Sequence, residues 1–249
     1  MKRNIYFILA SIFIASMAFI SCDKEPDNEN GDGNNNDTNG TQTSVHHYFT
    51  AASDGNIISL TIDRNNFTYS FINETTNESG SGTLKLSSNP KLSGVFETTI
   101  SGKTHYTIEL PGVAVISSIP LGNTLNKICF GVSSDIHEQN NYTMSDFVAK
   151  YLFLNFDDSE KDPNTFLGGY EIFDNGTYTW EFANSDFNSV NFAGMGSGSI
   201  SFVERNKSRL EFVESDGYSA IGSIYPGKLF VMDNGPGWGF SVGVEYPSV

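Results

Sequence analysis

Asp174-Asn175-Gly176-Thr177-Tyr178-Thr179-Trp180-Glu181-Phe182 begins as a turn and continues as an alternation. Asn and Gly at its second and third positions accept positive φ, which a tight hairpin demands. Beyond them Tyr178, Trp180 and Phe182 fall on one face, and Thr177, Thr179 and Glu181 on the other. A period of two is that of a half-buried strand. The same phrase occurs earlier as Asp63-Arg64-Asn65-Asn66-Phe67-Thr68-Tyr69-Ser70-Phe71, and further matches follow in the same order. Gly80-Ser81-Gly82-Thr83-Leu84-Lys85-Leu86 answers to Gly196-Ser197-Gly198-Ser199-Ile200-Ser201-Phe202, Pro111-Gly112 to Pro226-Gly227, and Ile128-Cys129-Phe130-Gly131-Val132 to Phe240-Ser241-Val242-Gly243-Val244. Correspondences in one order with similar gaps describe a duplication, and a duplication sets the architecture before any single element does.

Extending the alternation through both copies predicts about six strands in each. Besides the two quoted above, they lie near Ile57 to Ile62, Thr83 to Leu86, His105 to Leu110, Val113 to Ser118 and Lys127 to Val132 in the first copy. The second adds Gly169 to Phe173, Ser199 to Glu204, Arg209 to Val213, Ser219 to Tyr225, Leu229 to Met232 and Gly239 to Val244. A helical turn from Ser145 to Tyr151, with Ser145 as N-cap, competes with a strand running on to Phe156. Strands at this spacing without helical periods between them argue for an all-β chain of two tandem related antiparallel β-sandwich or small β-barrel units. The expected organisation is a signal over 1–21, a flexible stalk over 22–45, a first β repeat over 46–134, a connector over 135–150 and a second β repeat over 151–249.

The N-terminus is an address label. Lys2 and Arg3 precede an apolar run from Ile5 to Ile20, too short for the ~20 residues that cross a hydrocarbon core, and Ser21-Cys22 closes it. A cationic start, a short apolar segment and a small residue before the cut form a secretory signal. Phe19-Ile20-Ser21-Cys22 resembles the lipobox of bacterial lipoproteins, although Phe19 stands where Leu is usual. That resemblance implies acylation of Cys22 and attachment to a membrane through more than one acyl chain, which anchors stably. Residues 23–45, rich in Asn, Gly and Asp, hold nothing that forms a core; a flexible chain of that length reaches on the order of 25 Å. The acidic residues after Cys22 resemble the surface-export signals of Bacteroidetes lipoproteins, whereas Asp23 alone resembles the inner-membrane retention rule of enteric bacteria. Because the acidity continues past Asp23, the outer membrane or cell surface is the expected location. With the β repeats and the stalk, the whole resembles the β-rich surface lipoproteins of the Bacteroidetes, a likeness that implies a place and no activity.

Composition excludes one class of partner. The chain carries 14 basic and 29 acidic residues, and without Lys2 and Arg3 the mature net charge is −17, so no nucleic acid is expected to bind through phosphate neutralisation. Catalytic constellations are equally scarce. His46 and His47 sit at the edge of the stalk, while His105 on an alternating strand and His137 in a polar connection read as solvated side chains. Gly217-Tyr218-Ser219-Ala220-Ile221 lacks the second Gly of a nucleophile elbow, and Ser101-Gly102-Lys103-Thr104 lacks the first Gly of a phosphate loop and reads as a hairpin turn. Cys129 reads as a small core residue. Asp157, Asp158, Glu160 and Asp162 crowd one connection, and calcium is the cofactor such oxygen ligands would take. Trp238, in the loop Gly235-Pro236-Gly237-Trp238-Gly239, has few neighbours in sequence to hide behind; either it tucks back as a plug on the barrel end, or with Tyr225 it is the candidate platform for a sugar ring or apolar partner. Trp180 reads as core. The expectation is therefore a non-catalytic binding or adhesion module for a glycan or another small ligand, with a structural or partner-docking lipoprotein of an outer-membrane complex as the alternative.

Overall fold

A computed structural model describes residues 44–121, 127–136, 140–156, 165–183, 192, 194–203, 206–235 and 238–246. The first half contains β1 (Val45–Ala52), β2 (Ile57–Asp63), β3 (Thr68–Asn73), β4 (Glu78–Thr83), β5 (Lys85–Leu86), β6 (Phe96–Ile100), β7 (Lys103–Leu110), β8 (Ala114–Ser117) and β9 (Cys129–Ser133). The second contains β10 (Ala149–Phe156), β11 (Phe166–Ile172), β12 (Thr177–Phe182), β13 (Gly196–Val203), β14 (Asn206–Glu214), β15 (Ser219–Tyr225), β16 (Leu229–Asp233) and β17 (Phe240–Glu245). Short 3₁₀ turns lie at Pro90–Leu92 and Met144–Phe147.

Both halves are antiparallel barrels. β10 to β17 form a closed eight-stranded meander in which β10 pairs with both β11 and β17. The first half is a nearly closed nine-stranded barrel in which β1 pairs with both β2 and β9. Only Leu84 separates β4, which pairs with β3, from β5, which pairs with β6. Counted as one bent strand, β4 and β5 make the first barrel the topological twin of the second. The barrel alternative is thus the one adopted, and the repeats fall on equivalent places. Pro111-Gly112 and Pro226-Gly227 each form the turn between the sixth and seventh strands, and both glycines adopt φ +68°. The Gly-x-Gly motif is on the fourth strand of each barrel, opposite aromatic residues of the third: Tyr69 pairs with Gly82 and Phe71 with Gly80, Tyr178 with Gly198 and Trp180 with Gly196. The rings fold over their partners. A Cβ at Gly82 or Gly198 would lie 2.7 Å from the ring of Tyr69 or Tyr178, so only glycine leaves room for the ring. This pairing also corrects the register of the repeat. Aligned on their turns, Tyr69 matches Trp180; aligned on their glycines, Tyr69 matches Tyr178, two residues away and on the same face.

The two interiors differ. In the first barrel Tyr48, Ile58, Leu60, Ile62, Phe96 and Ile119 occupy the centre, all at most 2% exposed. Beside them the Tyr48 hydroxyl donates to Glu109 (2.7 Å), which also pairs with Arg64 (2.7 Å). The second interior is built of aromatic rings and is closed at one end by the 3₁₀ turn, whose Phe147 is fully buried against Phe202. That turn starts at Thr143, whose backbone N–H and hydroxyl donate to Asp146 Oδ2 (2.7 and 2.9 Å). The N-cap is therefore Thr143 instead of Ser145, and the strand from Ala149 to Phe156 replaces the helical end that was expected.

Residues 44–249 form one compact unit. β1 and β9 of the first barrel meet β15 and β16 of the second. Phe49, Ala51 and Val132 are buried on the outward face of the first barrel, and Val231 and Val242 on that of the second. Across the seam Phe130 stacks on Phe240 at 6.5 Å. Arg209 of β14 reaches over the Phe49 ring (5.3 Å) to the Glu74 carboxylate, and the Ser59 hydroxyl bridges this contact, accepting from Arg209 and donating to Glu74. Burial alone would raise the Glu74 pKa, but the bonds from Arg209 and Ser59 and the guanidinium charge hold it below its ordinary value.

Candidate functional site

The second barrel holds a cavity of ≈ 320 Å³. It lies at the end opposite Phe147, because antiparallel order puts the β14–β15 and β16–β17 turns there together. Phe153, Tyr170, Tyr178 and Phe212 form its floor. Their rings touch in series: Phe153 to Tyr170 at 4.7 Å, Tyr170 to Tyr178 at 5.7 Å, Tyr178 to Phe212 at 5.6 Å. Above them Phe166 meets Phe182 edge-on at 4.5 Å, and Phe182 meets Trp180 at 5.1 Å. The face shared by Tyr178, Trp180 and Phe182 in the sequence is thus the wall of a hollow.

The rim is polar and acidic. Glu214 ends β14, and Asp216 and Tyr218 lie in the turn after it, where Gly217 takes φ +93°. The Asp216 carboxylate accepts the Tyr218 N–H (3.0 Å), and the Tyr218 hydroxyl donates to the Asn234 carbonyl. Asn234 in turn donates to Asn155 (2.5 Å) and Ser241 (3.0 Å), forming a fixed polar patch on the opposite wall. Burial raises the Glu214 pKa, and the neighbouring Asp216 charge raises it further; the nearby Trp180 indole opposes both. That indole Nε1 is itself buried without a partner in hydrogen-bond geometry. Burial, with the Glu214 charge adding to it, keeps the phenols of Tyr178 and Tyr218 protonated as donors. No Lys, Arg or His is among the described residues lining the cavity. The arrangement offers ring faces to stack on, indole and phenol donors, and carboxylate acceptors.

Trp238 stands at this mouth, 62% exposed, in a turn where its N–H donates to the Gly235 carbonyl (3.1 Å). Its expected partner Tyr225 is elsewhere. The seven residues of β15 run from Ser219, at the cavity end, to Tyr225, at the end plugged by the 3₁₀ turn near Tyr142, so the two rings do not share a cleft. Asp157, Asp158, Glu160, Asp162, His137 and Cys22 lie outside the described residues. Among the described residues no three His, Cys, Asp or Glu side chains group as a metal site. His46 and His105 are both buried, the latter where a solvated side chain was expected: His46 faces Asp135 at 3.7 Å, and the Nδ1–H of His105 donates to the Ser118 carbonyl (2.7 Å). Cys129 is buried in the first barrel, where burial pushes its thiol pKa up. Ser101 and Gly102 take φ 52° and 76° between β6 and β7, the geometry of a tight hairpin turn. Trp180, read from sequence as core, is the half-buried wall of the cavity, and Glu214 and Tyr218 were not singled out at all. No local signal could have found them, because the pairing of Tyr178 and Trp180 with Gly198 and Gly196 recurs in the first barrel as Tyr69 and Phe71 with Gly82 and Gly80. Compared with protein-family models, curated proteins and solved structures, the chain matches none.

Proposed function

We propose that this protein is a receptor for a small ring-bearing ligand, held in the mouth of the second barrel and displayed outside the cytosol on a lipid anchor at Cys22. One observation carries the binding reading: the ≈ 320 Å³ cavity is walled by aromatic rings and overhung by an exposed Trp238. Eight-stranded barrels of this kind leave an interior that side chains fill or that one small ligand occupies, and a cleft of ~300 Å³ is at the lower end of small-molecule sites. Its size suits a single ring system, a monosaccharide unit or an aryl group, stacked on Trp180 or Trp238. The anchor and location rest on the signal and the lipobox-like Cys22.

The chain has two tryptophans, Trp180 and Trp238, and both line the cavity. Fluorescence excited selectively at tryptophan therefore reports on this site. Titration with a panel of monosaccharides and aryl compounds is expected to shift the emission saturably and raise the melting temperature, and Trp238→Ala to weaken binding about tenfold, the worth of ~1.4 kcal/mol. A panel silent in both measurements refutes the binding reading. Mass spectrometry of the mature N-terminus finding an unmodified Cys22 thiol refutes the anchor.

A further inference from the structure

The cavity is charged in one sense only. Glu214 and Asp216 stand on its rim, no cationic side chain lines it among the described residues, and the rings of Trp180, Tyr178 and Tyr218 turn their walls toward the same space. We infer, building on the receptor reading above, that the ligand is an organic cation: an aryl or alkyl amine, or a quaternary ammonium compound.

The physical case rests on what each part does to a charge. An aromatic ring presents a negative face, and a cation within ~6 Å of several such faces is attracted to all of them. Quaternary ammonium groups are recognised in this way because they shed water easily and need no directed hydrogen bond. A carboxylate at the edge of an apolar hollow completes the pair, and the low dielectric of the aromatic walls strengthens the attraction. Among the described residues Glu214 has no cationic partner; its neighbours are the Asp216 charge, which repels, and the Trp180 indole. A bound cation would relieve that repulsion. An anionic ligand would meet two carboxylates and several ring faces with no counter-charge among the described lining residues, an unpaired burial that disfavours it. A neutral ring gains the stacking alone.

The test uses three probes that share a benzyl group: benzyltrimethylammonium, benzyl alcohol and benzylsulfonate, each titrated against the full chain by tryptophan fluorescence. The expected result is that benzyltrimethylammonium binds about tenfold or more tightly than the alcohol, and that the sulfonate does not bind. Glu214→Gln should reduce the ratio of cation to alcohol affinity about tenfold, and Asp216→Asn, in an exposed turn, should reduce it in the same sense. Glu211→Gln removes the same charge from the outer face of the same strand and should leave the ratio unchanged, which separates the site from the pull of a chain with net charge −15. Equal affinity for cation and alcohol, preference for the sulfonate, or an equal loss in Glu211→Gln overturns the cationic assignment while the cavity remains a receptor. Silence with all three probes removes the receptor reading along with it.

Discussion

Asp233 is 5% exposed at the seam between the barrels, and its Oδ1 has no hydrogen-bond partner. Burial lifts its pKa to about 7; the Gly235 backbone N–H works against this, and the Asp54 carboxylate facing it from the β1–β2 turn adds to it. The nearby Tyr218 phenol stays protonated. The folded state therefore holds a proton that the unfolded chain, near 3.8, has released. The stability linked to that proton is fully present below pH 4 and is lost as pH rises through 7, on the order of 4 kcal/mol from this group. Urea unfolding at pH 5 and pH 8 should show the wild type weaker at pH 8, and Asp233→Asn should flatten that difference; an unchanged slope in the variant would assign the pH dependence elsewhere. Nothing in the sequence distinguished Asp233 from an ordinary strand-end carboxylate, because its burial comes from the other barrel. Trp238 was legible as an exposed ring, since flanking glycines hide nothing. Trp180 was not, because one apolar face reads the same in a filled barrel and in a hollow one.

At the scale of the element, the 3₁₀ turn Met144–Phe147 closes the end of the second barrel opposite the cavity. Phe147 is fully buried and packs against Phe202 at 5.7 Å and Tyr142 at 5.9 Å. Phe147→Ala should cost about 3–5 kcal/mol, measured as a shift in the urea midpoint, and a shift under 1 kcal/mol would mean the turn is an ornament on a barrel closed by other means. Strand existence was mostly readable: Ser219 to Tyr225 coincides with β15, and most other strands differ by a few residues at their ends. Three strands escaped notice, among them β4, whose run from Glu78 to Thr83 contains no apolar side chain to alternate. β1 buries Tyr48 and Ala52 inward and Phe49 and Ala51 against the other barrel, so its period of two is erased. β6 is short, and its Glu97 and Thr98 are buried polar residues that break the apolar pattern. Glu97 is satisfied by Ser87 (2.5 Å), a contact between residues that no local pattern joins.

At the scale of the whole molecule, the Phe130–Phe240 stack and the Arg209–Glu74 pair join the barrels. Thermal unfolding of residues 44–249 should be a single transition, and Arg209→Ala should lower stability by about 1–2 kcal/mol, as expected for a partly exposed pair whose loss strands Glu74. Two resolved transitions in the wild type would show the barrels to be energetically independent. The duplication was visible because turns and Gly-x-Gly motifs repeat locally; the seam was not, because it joins strands far apart in the chain, β1 and β9 to β15 and β16. The unlike interiors have an evolutionary corollary. Hollowing a small protein ordinarily spends the stability that keeps it folded, yet here the barrel with the cavity is welded to a sibling whose centre is filled by Tyr48, Leu60 and Phe96. Substitutions that reshape the cavity lining draw on the packing of that sibling, so the shape of the hollow is free to drift while the fold persists.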